Sequence, residues 1–266
     1  MLGRRPAPAF RPAMRESSPG PSASVPADVP KLIDHALLRP NLTTAELDAG
    51  CRLALAYDVA SVCILPYAVR RCAGLLSGGT VRTSTVIGFP HGGQAAAVKR
   101  AEALEALADG CEELDVVVNI SRVVSDDWAG VADELAGVIA VAHQSGRKVK
   151  VIFETCYLDE PRKIRLCRIC SDLGADWVKT STGFAPAGAT EADVRLMREH
   201  SAAGVQVKAS GGIGDLAAVL RYRDLGATRI GTSRTAAILD PWRAEAGLPP
   251  VVSESGTADQ GATSRY

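Results

Sequence analysis

The sequence has no run of about 18 apolar residues, so nothing in it reads as a membrane span. Neither charge prevails: Lys plus Arg and Asp plus Glu each total 30, giving a formal net charge of zero. That balance excludes the basic footprint of a nucleic-acid or anionic-membrane binder. Histidine is scarce. His35, His91, His143 and His200 are far apart and show no ligand spacing, which argues against a histidine-rich metal centre. The seven cysteines are an odd number, and no charged-then-apolar secretion signal precedes them. Reduced thiols in a cytoplasm are the expectation. Cys167 and Cys170 have the spacing of redox and zinc pairs, but they fall inside a predicted helix and have no second pair.

What is present is ordinary globular composition, 47% hydrophobic and 23% charged over 266 residues. That length can bury a sizeable core, in one barrel-sized domain or two smaller ones. Residues 1–29 are rich in Pro, Ser, Ala and Arg and lack apolar periodicity, as in a disordered leader. The leader is basic enough for an organelle-targeting peptide, although its prolines would break the amphipathic helix such peptides need. Residues 30–240 then alternate. Apolar runs at 32–38, 61–65, 81–89, 113–119, 148–154 and around Lys179, Lys208 and Ile230 read as strands. Helical patterns follow them, ending in a short helix over 235–239. Thr43 and Glu46 open the first helix as a capping pair, and Gly110, Gly174 and Gly226 stop three others. Eight strand–helix units predict an α/β fold, a single-domain (β/α)8 TIM barrel, with strands that are mostly unbroken apolar runs. Residues 241–266 become polar and small, as in a flexible tail.

Two stretches of this pattern are chemically anomalous. Trp177-Val178-Lys179-Thr180-Ser181-Thr182-Gly183 and Val207-Lys208-Ala209-Ser210-Gly211-Gly212 each place a lysine at the end of a predicted strand, before hydroxyl residues and glycine. Lysine is almost never fully buried without a reason. Barrel active sites sit at the C-terminal ends of the strands. These lysines fall on strands 6 and 7, neighbours about 4.8 Å apart. Two ammonium charges about 5 Å apart repel by roughly 3 kcal/mol at an effective dielectric near 20. That is worth about two pKa units, and partial desolvation adds to it. A neutral amine can then attack a carbonyl to form a Schiff base. Asp115, on strand 4, can balance the other lysine and shuttle protons. The alternative is that each lysine reaches solvent and Asp115 pairs with one of them structurally.

Ser210, Gly211 and Gly212 follow strand 7, and Gly231, Thr232 and Ser233, with Arg234 next, follow strand 8. Barrels commonly bind phosphate between these two loops, where glycine lets backbone N–H groups approach an anion. Thr182 and Gly183, after strand 6, join this substrate-binding set. Ordinary tight turns are the alternative. Gly212-Ile213-Gly214-Asp215-Leu216-Ala217 fits a dinucleotide fingerprint, but it follows the seventh strand, and no acidic residue ends the next one.

Taken together, these residues resemble the deoxyribose-phosphate aldolase family. The matching segments are Ile33-Asp34-His35, Val86 to Pro90, Glu113 to Asn119, Val149 to Thr155, Val178 to Phe184, Val207 to Ile213 and Ala227 to Ser233. The resemblance implies reversible cleavage of 2-deoxy-D-ribose 5-phosphate to glyceraldehyde 3-phosphate and acetaldehyde, with no metal or other cofactor. It implies that Lys179 forms the Schiff base, with Lys208 and Asp115 as proton donor and acceptor. It also suggests a homodimer or homotetramer. The readings left open are a related barrel aldolase with another phosphorylated substrate and a non-catalytic phosphosugar-binding barrel. Ala36 departs from the family wording where a threonine is frequent, and Leu65 where an asparagine often precedes proline. Tyr266 ends the chain, as a tyrosine ends some family members. Either the tail folds over the pocket and presents this phenol, or it does nothing.

Overall fold

Eight parallel strands close on themselves in chain order, each hydrogen-bonded to the next and β8 to β1. They are β1 (Ile33–Leu37), β2 (Ser61–Ile64), β3 (Arg82–Ile87), β4 (Glu113–Val117), β5 (Lys148–Ile152), β6 (Trp177–Lys179), β7 (Gln206–Ser210) and β8 (Ala227–Thr232). Around them run α1 (Thr44–Tyr57), α2 (Val69–Leu76), α3 (Ala96–Ala108), α4 (Ile120–Val124), α5 (Trp128–Gln144), α6 (Glu160–Asp172), α7 (Glu191–His200), α8 (Leu216–Asp224) and α9 (Thr235–Glu245). The computed structural model describes residues 26–251. The first 25 residues of the expected leader, and the tail from residue 252, lie outside them. No helix among the described residues is long and apolar enough to cross a membrane.

Local chemistry sets many element ends. Thr43 Oγ1 accepts from Glu46 N, and Glu46 Oε2 accepts from Thr43 N at 2.7 Å, so α1 opens with a reciprocal capping box. Asp159, Thr190 and Asp215 cap α6, α7 and α8 in the simpler one-way manner. Two elements differ from the sequence expectation. The short helix α4 was not legible. Helix α9 continues past Leu239, through Pro241, to Glu245. A proline inside a helix costs about 3 kcal/mol. Packing offsets it here, since Trp242 is buried and its indole N–H donates to Pro26 O at 2.9 Å.

The strands also differ from the unbroken apolar runs expected of them. Their apolar residues, among them Ile33, Leu114, Val116, Val149, Val151, Val178 and Val207, join one large core cluster with helix residues such as Leu47, Leu135 and Leu166. Alternating with them on the same strands are Asp34, Glu113, Asp115, Lys150, Lys179, Lys208 and Arg229, which contact one another across the barrel interior. The pleat sends successive side chains to opposite faces. The barrel is therefore apolar outside its sheet and charged inside it. A smaller apolar patch of Leu38, Cys63 and Val86 lies apart from the main core. Ala36, Leu65 and Phe89 pack on that patch, so both departures from the family wording fall on the same wall.

His35 is buried, and its Nδ1 lies 2.8 Å from Thr235 Oγ1 on α9. Burial pushes this imidazole down to about 4. The neutral ring is the folded form, while the unfolded chain takes a proton near pH 6.5, so stability must fall as pH drops through that window. Between pH 7 and pH 5 His35 is expected to remove about 2 kcal/mol. Urea unfolding at the two pH values reads this loss, and His35→Asn should show a loss smaller by that amount.

Candidate active site

Lys179 and Lys208 are direct register partners on β6 and β7. Both amines reach the same carboxylate oxygen: Asp115 Oδ2 accepts from Lys179 Nζ at 2.7 Å and from Lys208 Nζ at 2.8 Å. The structure therefore brings together the three residues singled out in the sequence. All three are buried, Asp115 completely.

Their surroundings are not equivalent. Burial pushes the Lys179 amine below the usual lysine value. The nearby Asp115 charge opposes this, and the Lys208 charge adds to it. Lys208 is equally buried, but Asp115 and Asp34 together outweigh the desolvation and hold its amine above the usual value. The order of causes differs from the sequence argument, which placed repulsion between the lysines first. Desolvation is the larger cause for both lysines, and it prevails at Lys179 because that amine shares a single carboxylate whereas Lys208 has two. Burial alone would raise Asp115, but Lys150, Lys179 and Lys208 hold it well below the carboxylate range.

Sequence reasoning missed the layer beneath. Asp115 Oδ1 accepts from Lys150 Nζ at 2.8 Å, and Lys150 also lies 2.6 Å from Glu113. Asp34 Oδ2 sits 2.6 Å from Lys208 Nζ, an ion contact without hydrogen-bond geometry. Arg229 donates to Asp34 Oδ1 at 2.7 Å and grips both oxygens of Glu113 at 2.9 Å. Its guanidinium lies 4.9 Å from the centre of the Trp177 ring. The cluster thus holds three carboxylates (Asp34, Glu113, Asp115) and four basic groups (Lys150, Lys179, Lys208, Arg229). Fully ionised, it carries one uncompensated positive charge in a buried site, which is expensive. Lys179 is the one of these bases held below its usual value, while Lys150 and Arg229 are held above theirs. Neutralising Lys179 balances the cluster. A signal for Lys150 was available: it interrupts the apolar run Val149–Ile152 just as Lys179 interrupts its own strand.

Above the amines, three loops meet at the mouth. Ser210 Oγ donates to Ser181 O at 2.5 Å, and Ala189 N donates to the carbonyls of Ser210 and Gly211. A Cβ on Gly188 would lie 2.2 Å from Gly211 O, so only glycine permits this approach. Gly211 and Gly212 both have positive φ, 89° and 79°. The amides of Gly211, Gly212 and Ser233 donate to no other group among the described residues, so they remain open to an anion. Other members of the predicted binding set are occupied. Thr182 donates its hydroxyl and its amide to Glu154, a buried carboxyl two residues past β5 with φ 55°. Burial raises that carboxyl above its usual value. Thr232 Oγ1 bridges Ile213 O and Arg234 N. Gly231 leaves space: a Cβ there would lie 2.8 Å from Ser210 Cβ and 3.3 Å from Lys208 Cε. Gly183 follows Thr182 with φ 86°. Tyr266 lies outside the described residues.

Fold and site together define a (β/α)8 enzyme barrel with a buried amine cluster in its interior, Lys179 standing at the C-terminal end of β6. A family model for DeoC/LacD family aldolases matches residues 29–231. A deoxyribose-phosphate aldolase of Rhodopirellula baltica is 58% identical over 224 residues, covering 84% of this chain and 93% of that protein. One from Thermococcus gammatolerans is 44% identical, covering 80% and 96%. Among solved structures, the tetrameric deoxyribose phosphate aldolase of Aeropyrum pernix superposes with a TM-score of 0.75 at 32% identity, covering 82% of this chain and 92% of that one. The chain belongs to the DeoC/LacD family of aldolases.

Proposed function

We propose that the protein cleaves 2-deoxy-D-ribose 5-phosphate reversibly to glyceraldehyde 3-phosphate and acetaldehyde through a Schiff base on Lys179. The observation that carries this reading is the asymmetry of the amine pair. One carboxylate oxygen serves two lysines whose surroundings push their proton affinities in opposite directions. Such a split separates the nucleophile from the charged partner.

Neutral Lys179 Nζ adds to the C1 aldehyde of the open-chain sugar, and loss of water leaves an iminium. A base takes the proton of the C3 hydroxyl, the C2–C3 bond breaks, and its electron pair moves into the iminium to give an enamine. Glyceraldehyde 3-phosphate departs. The enamine carbon takes a proton, and water releases acetaldehyde and the free amine. Asp115, in contact with both amines, moves protons to and from the reacting atoms, and Lys208 remains cationic beside it. The open amides of Gly211, Gly212 and Ser233 receive the phosphate, with Ser210, Gly231 and Thr232 shaping the loops that present them. Thr182 and Gly183 line the third loop, fixed by Glu154.

The choice of substrate rests on the names of the relatives. A coupled assay for glyceraldehyde 3-phosphate release tests it, with deoxyribose 5-phosphate and other sugar phosphates in parallel. Release from deoxyribose 5-phosphate is expected to dominate. Preferential release from another sugar phosphate would reassign the substrate, and no release from any would favour a non-catalytic phosphosugar binder. A homodimer or homotetramer is the assembly we expect, the latter by analogy with the tetrameric Aeropyrum pernix enzyme, and light scattering measures it. The seven cysteines, all free, support a reducing, cytoplasmic setting.

A further inference from the structure

We propose that Arg234 is a specificity-determining residue, its guanidinium set at the junction of the β7–α8 and β8–α9 loops to favour a phosphorylated sugar over its uncharged counterpart. The inference rests on the function proposed above and adds a charged group to the anion site. Open backbone amides attract an anion through partial charges only. Discrimination between a phosphate ester and a free hydroxyl is stronger where a full cation is in reach.

Arg234 has the position and the freedom to supply that cation. Its backbone is fixed, since its N–H donates to Thr232 Oγ1 at 3.0 Å and its carbonyl accepts from Ile238 N at 3.1 Å. Thr232 Oγ1 in turn donates to Ile213 O at 2.8 Å, which ties the β8–α9 loop to the loop carrying Gly211 and Gly212. The side chain crosses to that same loop and lies against Gly214. A Cβ on Gly214 would stand 2.7 Å from Arg234 Nη1, 3.0 Å from Cδ and 3.2 Å from Cζ. The missing side chain at position 214 is the space the arginine occupies.

The nearby carboxylate does not consume the charge. Asp215 caps α8, accepting from Ala218 N at 2.8 Å, and makes no ion pair with Arg234. By contrast Arg162, in the first turn of α6, is paired with both Asp126 and Asp159. Arg234 forms no salt bridge among the described residues and is exposed, so an incoming phosphate can reach it. Its planar fork of N–H donors matches two phosphate oxygens, a geometry lysine lacks.

The test compares deoxyribose 5-phosphate with deoxyribose for the wild type, Arg234→Ser, Arg234→Lys and Gly214→Ala, with kcat and KM separated. Arg234→Ser is expected to raise KM for the phosphorylated sugar about tenfold or more, with a much smaller effect on kcat. The ratio of kcat/KM between the two sugars falls accordingly. Arg234→Lys gives an intermediate ratio. Gly214→Ala moves the guanidinium and lowers the ratio in the same direction, and it adds little in the Arg234→Ser background. An unchanged ratio in Arg234→Ser, or an equal fall on both sugars in both arginine variants, overturns the proposal and leaves Arg234 a surface or structural residue. Failure of the underlying function is seen separately, in the wild type: it would cleave neither sugar, or cleave another sugar phosphate better.

Discussion

Lys179→Met is expected to abolish turnover while leaving the barrel at least as stable as before. The loss follows from the chemistry, since a thioether cannot form a Schiff base. Removing a covalent nucleophile costs on the order of 10⁵-fold or more in kcat. The stability result follows from the charge count inside the barrel. The surroundings of Lys179 disfavour its ammonium form. A lysine whose folded value is lowered destabilises the fold at every pH below its unfolded value, and that penalty fades as pH rises towards it. Methionine of similar length removes the penalty. Asp115 keeps Lys150 and Lys208 as partners at 2.8 Å each. Thermal unfolding and kcat, measured on the same preparation, check both halves. A variant that lost activity through unfolding would contradict the assignment.

Asp115→Asn should be damaging in both respects. Three amines donate to this one carboxylate, and none of them is exposed. The amide keeps the shape but loses the charge, and its nitrogen cannot accept from an ammonium. Leaving buried cations uncompensated costs about 3–5 kcal/mol. Loss of the proton shuttle costs a further 10²- to 10⁴-fold in rate, on the order of a general acid or base. The pH dependence has a definite sign. Without Asp115 the folded values of Lys150 and Lys208 drop, so the unfolded chain binds more protons than the folded one across the alkaline range. Stability of the variant should therefore rise with pH towards the lysine range, where the wild type gains far less. Urea unfolding at pH 7 and pH 9.5 separates the two cases.

The parts of this site that were legible in the sequence share a cause. Lys179 and Lys208 stand out because a strand ending in an apolar run has no reason to carry a lysine. The glycines after β6 and β7 stand out because they follow strand ends, and Gly231 because it falls near the end of its own strand, inside β8 rather than after it. The barrel itself was legible because each strand presents an apolar face to the helices, and helix stops such as Gly110, Gly174 and Gly226 punctuate the units. What stayed hidden depends on contacts between distant strands. Asp34 meets Lys208 only because β1 and β7 both line the interior, although they are not adjacent in the sheet. Arg229 and Glu113 are 116 residues apart. No local pattern encodes such pairs, so the inner face was read as apolar when it is charged. The occupied states of Thr182 and Thr232 are of the same kind. Both hydroxyls looked free for substrate in the sequence, and both are engaged by groups contributed from another loop.

The central claim is that Lys179 is the amine that bonds to substrate. Borohydride reduction in the presence of acetaldehyde, followed by peptide mass mapping, tests it most directly. A single reduced two-carbon adduct is expected on the peptide carrying Lys179, absent from Lys179→Met. An adduct on Lys208 would mean that the roles of the two lysines are reversed, and no adduct on the folded protein would contradict Schiff-base chemistry altogether.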